Sequence, residues 1–171
     1  MGDYIDRGDN SRAVIDQLLA FNHDYNCIFL KGNHEWLFEQ AKISRKIMQL
    51  WHRNGGDETL ISYGSMAAIT ALHGPFFNAL ALYYETQAYI FVHAGIRPGI
   101  PLYQQAESDL LWIREDFLDA PVSTQKCVVH GHTPVRDVQI QNNKINVDTG
   151  AVYGGPLSAI VLPEKTVIQV S

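Results

Sequence analysis

The chain has 171 residues, of which 46% are hydrophobic and 18% charged, and a formal net charge of -5. That ordinary globular composition excludes a disordered chain, and an acidic balance without a basic run argues against nucleic acid as a partner. No stretch is long and apolar enough to span a membrane, and the basic-then-apolar start of a secretory leader is absent. A single cytoplasmic domain over residues 1–171 is expected.

The first segment, Gly2-Asp3-Tyr4-Ile5-Asp6-Arg7-Gly8, brings two carboxylates and a guanidinium close together. An arginine beside such a cluster suits a phosphate, because its planar fork binds oxyanions bidentately. Asn10-Ser11 caps a helix in which Ala13, Val14, Leu18 and Leu19 form a core stripe, and Asn22-His23-Asp24 ends it. Cys27-Ile28-Phe29-Leu30 reads as a strand covered on both faces. It delivers Gly32-Asn33-His34-Glu35 at its C-terminal end, where open α/β sheets bind ligands. Asp and Asn oxygens with His nitrogens suit Mn, Fe or Zn. From His34 to about Arg53 the pattern is helical, with Trp36, Leu37, Ala41 and Ile47 apolar. Asn54-Gly55-Gly56-Asp57 reads as a turn. Glu58 to Ala81 reads as loop and helix with no chemistry of its own.

Leu82–Glu85 and Ala88–Val92 form a hairpin around Thr86-Gln87, and its second strand ends at His93-Ala94-Gly95. A proline-rich loop, Ile96 to Pro101, precedes a short amphipathic piece, Asp109 to Glu115, that places Arg114. Cys127–His130 is a buried strand running into Gly131-His132-Thr133-Pro134. Val138–Gln141 and Lys144–Val147 pair around Asn142-Asn143, a tight-turn dipeptide. Asp148-Thr149-Gly150 follows, then a last pair, Leu157–Leu162 and Thr166–Val170. Cys27 and Cys127 read as buried thiols, not as a disulfide. His23, His52 and His73 read as surface or cap residues, and His130 as facing away from any site. Arg97 and Glu35 read as supporting residues and Asp9 as a turn residue. Asp16 and the acidic residues between Glu107 and Asp119 read as solvated.

The ordered series Gly-Asp-Tyr-Ile-Asp-Arg-Gly, Gly-Asn-His-Glu, Val-His-Ala-Gly, Gly-His-Thr-Pro and Asp-Thr-Gly resembles the metallophosphoesterase superfamily. Within it, the chain resembles the bacterial branch of the phosphoprotein (Ser/Thr) phosphatases, which is related to the diadenosine tetraphosphate hydrolases. The resemblance implies a calcineurin-like α/β fold, a β-sandwich of two mixed sheets flanked by helices. It also implies two divalent ions, with Mn expected first and Fe or Zn as alternatives. Asp3 would bridge them, and Asn33, His93 and His132 would complete the second site. His34 would be the general acid, with Asp6 hydrogen-bonded to it. Arg7, Arg114 and Asn33 would bind phosphate, and Tyr153 would line the site.

The expected activity is metal-dependent phosphoester hydrolysis on a phosphoserine or phosphothreonine protein, or on a small phosphoester. Hydrolysis of dinucleoside polyphosphates is the alternative, to be decided by the region Glu58–Leu80. An inactive fragment or binding module is a third reading. The family's earlier Asp-x-His-Gly motif has no counterpart here, so a domain lacking its first strand and helix is expected. Such a chain would bind one metal well and would expose an unpaired edge open to self-association. A fragment, a degenerate member and a strand supplied by a partner would each explain this, and the fragment is favoured because every other motif is present.

Overall fold

The computed structural model describes residues 1–121 and 124–171. The chain divides into two compact units, one spanning Gly2–Ala81 and the other Leu82–Ser171 together with Met1.

The first unit is built from five helices: α1 (Ser11–Asp24), α2 (Asn33–Ala41), α3 (Arg45–Trp51), α4 (Asp57–Tyr63) and α5 (Met66–Asn78). The helix expected from His34 to Arg53 is broken, because the Ser44 hydroxyl accepts the Ile47 N–H at 3.3 Å and starts a new helix there. The turn expected at Asn54–Asp57 is instead a kink inside continuous helical winding. A π-helical turn, His52–Gly56, links α3 to α4, and Gly55 absorbs the change of direction at φ 96°.

Two further expectations for this unit are corrected. In α1 the core line is Ser11 and Ile15, whereas Val14 and Leu19 of the expected stripe are 42% and 39% exposed. The helix rests on α4 through small polar contacts, such as the Arg12 N–H on the Ser62 hydroxyl at 3.0 Å. Only a narrow strip is therefore covered. Cys27–Leu30 is extended but is not a strand, since among the described residues it bridges only Ala81. The Leu30 N–H, which a ladder would use, goes to the Tyr4 hydroxyl at 3.1 Å. The core of the unit is aromatic, with the Phe38 ring tilted against Phe77 at 4.8 Å and against Trp51 at 5.6 Å between centroids. His73 is no surface residue. It is buried between the Tyr63 hydroxyl at 2.6 Å and Asp16 at 3.1 Å.

The second unit contains a five-stranded mixed sheet of β1 (Tyr83–Glu85), β2 (Tyr89–Val92), β3 (Cys127–His130), β4 (Gln139–Ile140) and β5 (Lys144–Asn146), in the order β1-β2-β3-β5-β4. The three inner strands are parallel and both outer ones antiparallel. A separate antiparallel ribbon pairs β6 (Leu157–Val161) with β7 (Thr166–Val170). The α/β class is borne out, and so are the three hairpins read from their turns.

Between β2 and β3 the chain forms α6 (Glu107–Trp112) and α7 (Glu115–Leu118), which cover one sheet face. Leu110, Ile113 and Phe117 pack there against Ile90, Val92 and Val128. Asp109 and Asp116 are not merely solvated. The Arg97 guanidinium grips Asp109 at 2.7 and 2.8 Å and Asp116 at 3.0 Å, tying α6 to α7. The Lys144 ammonium closes the end of α7, donating to the carbonyls of Phe117, Leu118 and Ala120 at 2.9, 2.7 and 2.9 Å. Both cysteines are unbridged and only half-buried. Among the described residues no helix is long and apolar enough to cross a membrane.

Candidate functional site

In the first unit the opening loop carries an unusual backbone. Asp3, Asp6 and Arg7 all take positive φ, at 57°, 75° and 62°. Non-glycine residues pay for such geometry with strain of roughly 1–3 kcal/mol each, so surrounding contacts must hold them there. Glu35 supplies the first set. Its fully buried carboxylate accepts the backbone N–H groups of Tyr4 at 2.7 Å and of Asp3 and Gly32 at 2.8 Å. Burial, and then the Asp3 charge, push the Glu35 carboxyl up to about 7, while those three donors pull the other way. This bears out Glu35 as a supporting residue.

Asp3 in turn accepts the His34 N–H at 3.1 Å, which sets its carboxylate at the N-terminal turn of α2 beside Asn33. Gly32 makes this approach possible, since a Cβ on it would lie 2.1 Å from the Asp3 Oδ1.

Asp6 is the hub of this half. Its carboxylate accepts the Trp51 indole N–H at 2.9 and 3.0 Å and the Thr59 hydroxyl at 2.6 Å. It also meets the His34 Nδ1 at 2.7 Å. With every other partner a donor, the ring nitrogen must be the N–H donor as well, which fixes the tautomer. Burial lowers the His34 pKa, but the Asp6 bond and the Asp3 and Asp6 charges outweigh it and hold the imidazole above its ordinary value. Arg7 is fastened from α4's side, its N–H donating to the Gly55 carbonyl at 3.1 Å.

In the second unit the parallel strands deliver their tips together. His93 follows β2 and His132 follows β3, and the Gly131 N–H donates to the His93 carbonyl at 2.8 Å. His93 Nδ1 donates to the Met1 carbonyl at 2.8 Å, and its Nε2 lies 3.2 Å from the His132 Nδ1. The Trp112 ring stands nearly edge-on to His132 at 6.2 Å. Arg114, between α6 and α7, donates to the Thr133 hydroxyl at 3.3 Å. Tyr153 is 65% exposed on a short 3-10 turn. His130 is a core residue, edge-on to Phe117 at 5.0 Å. Burial first, and then the Lys144 charge, drive its pKa down to about 4, so it is neutral.

The donor set fits a divalent cation. Two nitrogens on one ion at about 2.0–2.1 Å lie about 2.9–3.4 Å apart at octahedral to tetrahedral angles. The His93 and His132 nitrogens stand at 3.2 Å, within that range. The Met1 carbonyl fixes the His93 tautomer, as an outer partner of a ligating imidazole does.

Within the first unit the structure thus gathers Asp3, Asp6, Asn33 and His34, and within the second His93 and His132. Ser11, expected only as a helix cap, also accepts the Asp6 N–H on its hydroxyl at 3.2 Å. The sequence reading missed Thr59 and Trp51, which also surround Asp6. Nothing local marks them, because each lies in an ordinary helical pattern.

A family model described as calcineurin-like phosphoesterase matches residues 1–160. Among curated proteins, the chain is 27% identical over 196 residues to an asymmetrical bis(5'-nucleosyl)-tetraphosphatase of Anoxybacillus flavithermus, covering 99% of this chain and 77% of that protein. It is 26% identical over 192 residues to the protein of that name from Halalkalibacterium halodurans, covering 99% and 76%. A solved structure presented as a candidate diadenosine tetraphosphatase superposes with a TM-score of 0.70 at 22% identity, covering 99% of this chain and 77% of that one.

Proposed function

The chain belongs to the calcineurin-like phosphoesterase family, and from that premise we propose that it hydrolyses dinucleoside polyphosphates in a metal-dependent reaction. The names of the relatives favour this alternative over the serine/threonine protein phosphatase expected first.

The observation that carries a hydrolytic reading is the buried Asp6–His34 pair, in which a hydrogen-bonded carboxylate holds an imidazole above its ordinary pKa. An imidazolium of this kind can hand its proton to a departing phosphate oxygen while Asp6 holds the ring in orientation. The Arg7 and Arg114 guanidiniums would grip the phosphoryl oxygens, with the Asn33 amide as a further donor and Tyr153 at the margin. The family resemblance assigns Asp3, Asn33, His93 and His132 to the cation, with Mn the first metal to try. Bound there, it would neutralise phosphoryl charge and lower the pKa of a water.

The reading is tested by steady-state assays with Mn on bis(5'-adenosyl) tetraphosphate, a phosphothreonine peptide and p-nitrophenyl phosphate. Cleavage of the dinucleotide into ATP and AMP, with kcat/KM at least about tenfold above the peptide, is the expected result. The reverse ranking would restore the protein-phosphatase reading, and no turnover of any of the three would leave a binding module.

A further inference from the structure

The hub residue Asp6 is held by a group that takes no part in the chemistry proposed above. Thr59, fully buried on α4, makes two bonds to one residue. Its oxygen accepts the Asp6 N–H at 2.8 Å, and its hydroxyl donates to the Asp6 Oδ1 at 2.6 Å. The Ser11 hydroxyl, 3.2 Å from both the Thr59 oxygen and the Asp6 nitrogen, completes the cluster. Backbone and side chain of Asp6 are therefore pinned by one hydroxyl, in a left-handed backbone conformation at φ 75° that is uncommon for residues other than glycine. Four residues earlier in the same segment, Gly55 takes the Arg7 N–H. A Cβ at Gly55 would lie 2.6 Å from both the Arg7 nitrogen and its Cγ.

We infer that Thr59 is a positioning residue, which aligns His34 through Asp6, and that the Gly55–Thr59 segment is a clamp on the Asp6-Arg7 pair. Thr59 touches no reacting atom. Its role depends on the phosphoester-hydrolase reading only for its catalytic consequence, because the Asp6 geometry can be read without turnover.

The Trp51 indole N–H provides that second readout, since it donates to both Asp6 oxygens. Thr59→Val keeps the shape and removes the hydroxyl, while Thr59→Ser keeps the hydroxyl. Proton–nitrogen correlation spectra of the three proteins, with the Trp51 indole resonance assigned, are compared with kcat and KM for bis(5'-adenosyl) tetraphosphate. In Thr59→Val the Trp51 resonance is expected to shift and kcat to fall about tenfold, with KM within about twofold. Thr59→Ser restores both. An unmoved Trp51 resonance in Thr59→Val overturns the inference. So does a kcat loss that only follows the loss of folded protein, or one that Thr59→Ser fails to restore. If the wild-type chain turns over none of the substrates, the hydrolase reading fails, whereas the Trp51 resonance still decides the positioning role.

Discussion

The two units hold their candidate site side chains by opposite means. In the first, a buried polar network does the work. Glu35 collects three backbone donors and Asp6 collects three side chains, around a loop that bends through the left-handed region at three non-glycine residues. In the second, the register of parallel strands on an apolar core brings His93 and His132 together. Polar networks are sensitive to the loss of any one partner, because the others stay buried and unmatched. A strand tip is sensitive to the packing beneath it. The first arrangement sets orientation through hydrogen bonds, and the second sets distance.

Three substitutions would break or sharpen that contrast. The largest effect is expected from His34→Asn, which removes the proposed acid from the polar half. Turnover should fall about 10²–10⁴-fold, while metal content by elemental analysis stays unchanged, and loss of metal would contradict the role given to His34. Next is Phe117→Ala, in the apolar half, where the ring is fully buried and Gly95 leaves no room for a Cβ between them. A cost of about 3–5 kcal/mol in denaturant unfolding is expected, and a change below about 1 kcal/mol would show that this core does not carry the strand tips. The smallest is Glu35→Gln, which puts an amide where three N–H groups point. About 1–3 kcal/mol should be lost, accompanied by faster hydrogen exchange of the Asp3 and Tyr4 amides and little change at His93.

Legibility in the sequence followed the same divide. β2 and β3 are short apolar runs ending in His93 and Gly131-His132, and the Thr86-Gln87 and Asn142-Asn143 turns mark the hairpins, so that half could be read from local pattern. The Asp6–His34 pair was within reach only through the family resemblance. Thr59 was out of reach, because its bond to Asp6 joins positions 53 apart and leaves no periodic trace. Leu30 shows a different limit. An apolar run becomes a strand only where a neighbour offers a ladder, and here a tyrosine hydroxyl takes the donor instead. The α1 stripe failed for a related reason, since which face is covered depends on the partner helix. Substrate class was least legible of all, because the same metal core would serve monoesters and dinucleotides alike.

Gly32 carries a consequence for anyone recoding this chain. Its backbone angles, φ -103° and ψ 175°, are open to every amino acid, yet even the methyl of alanine would overlap the Asp3 carboxylate and amide. A saturation library selected for activity at this codon should return glycine alone. The first letter of Gly-Asn-His-Glu is therefore dictated by elbow room and not by reactivity.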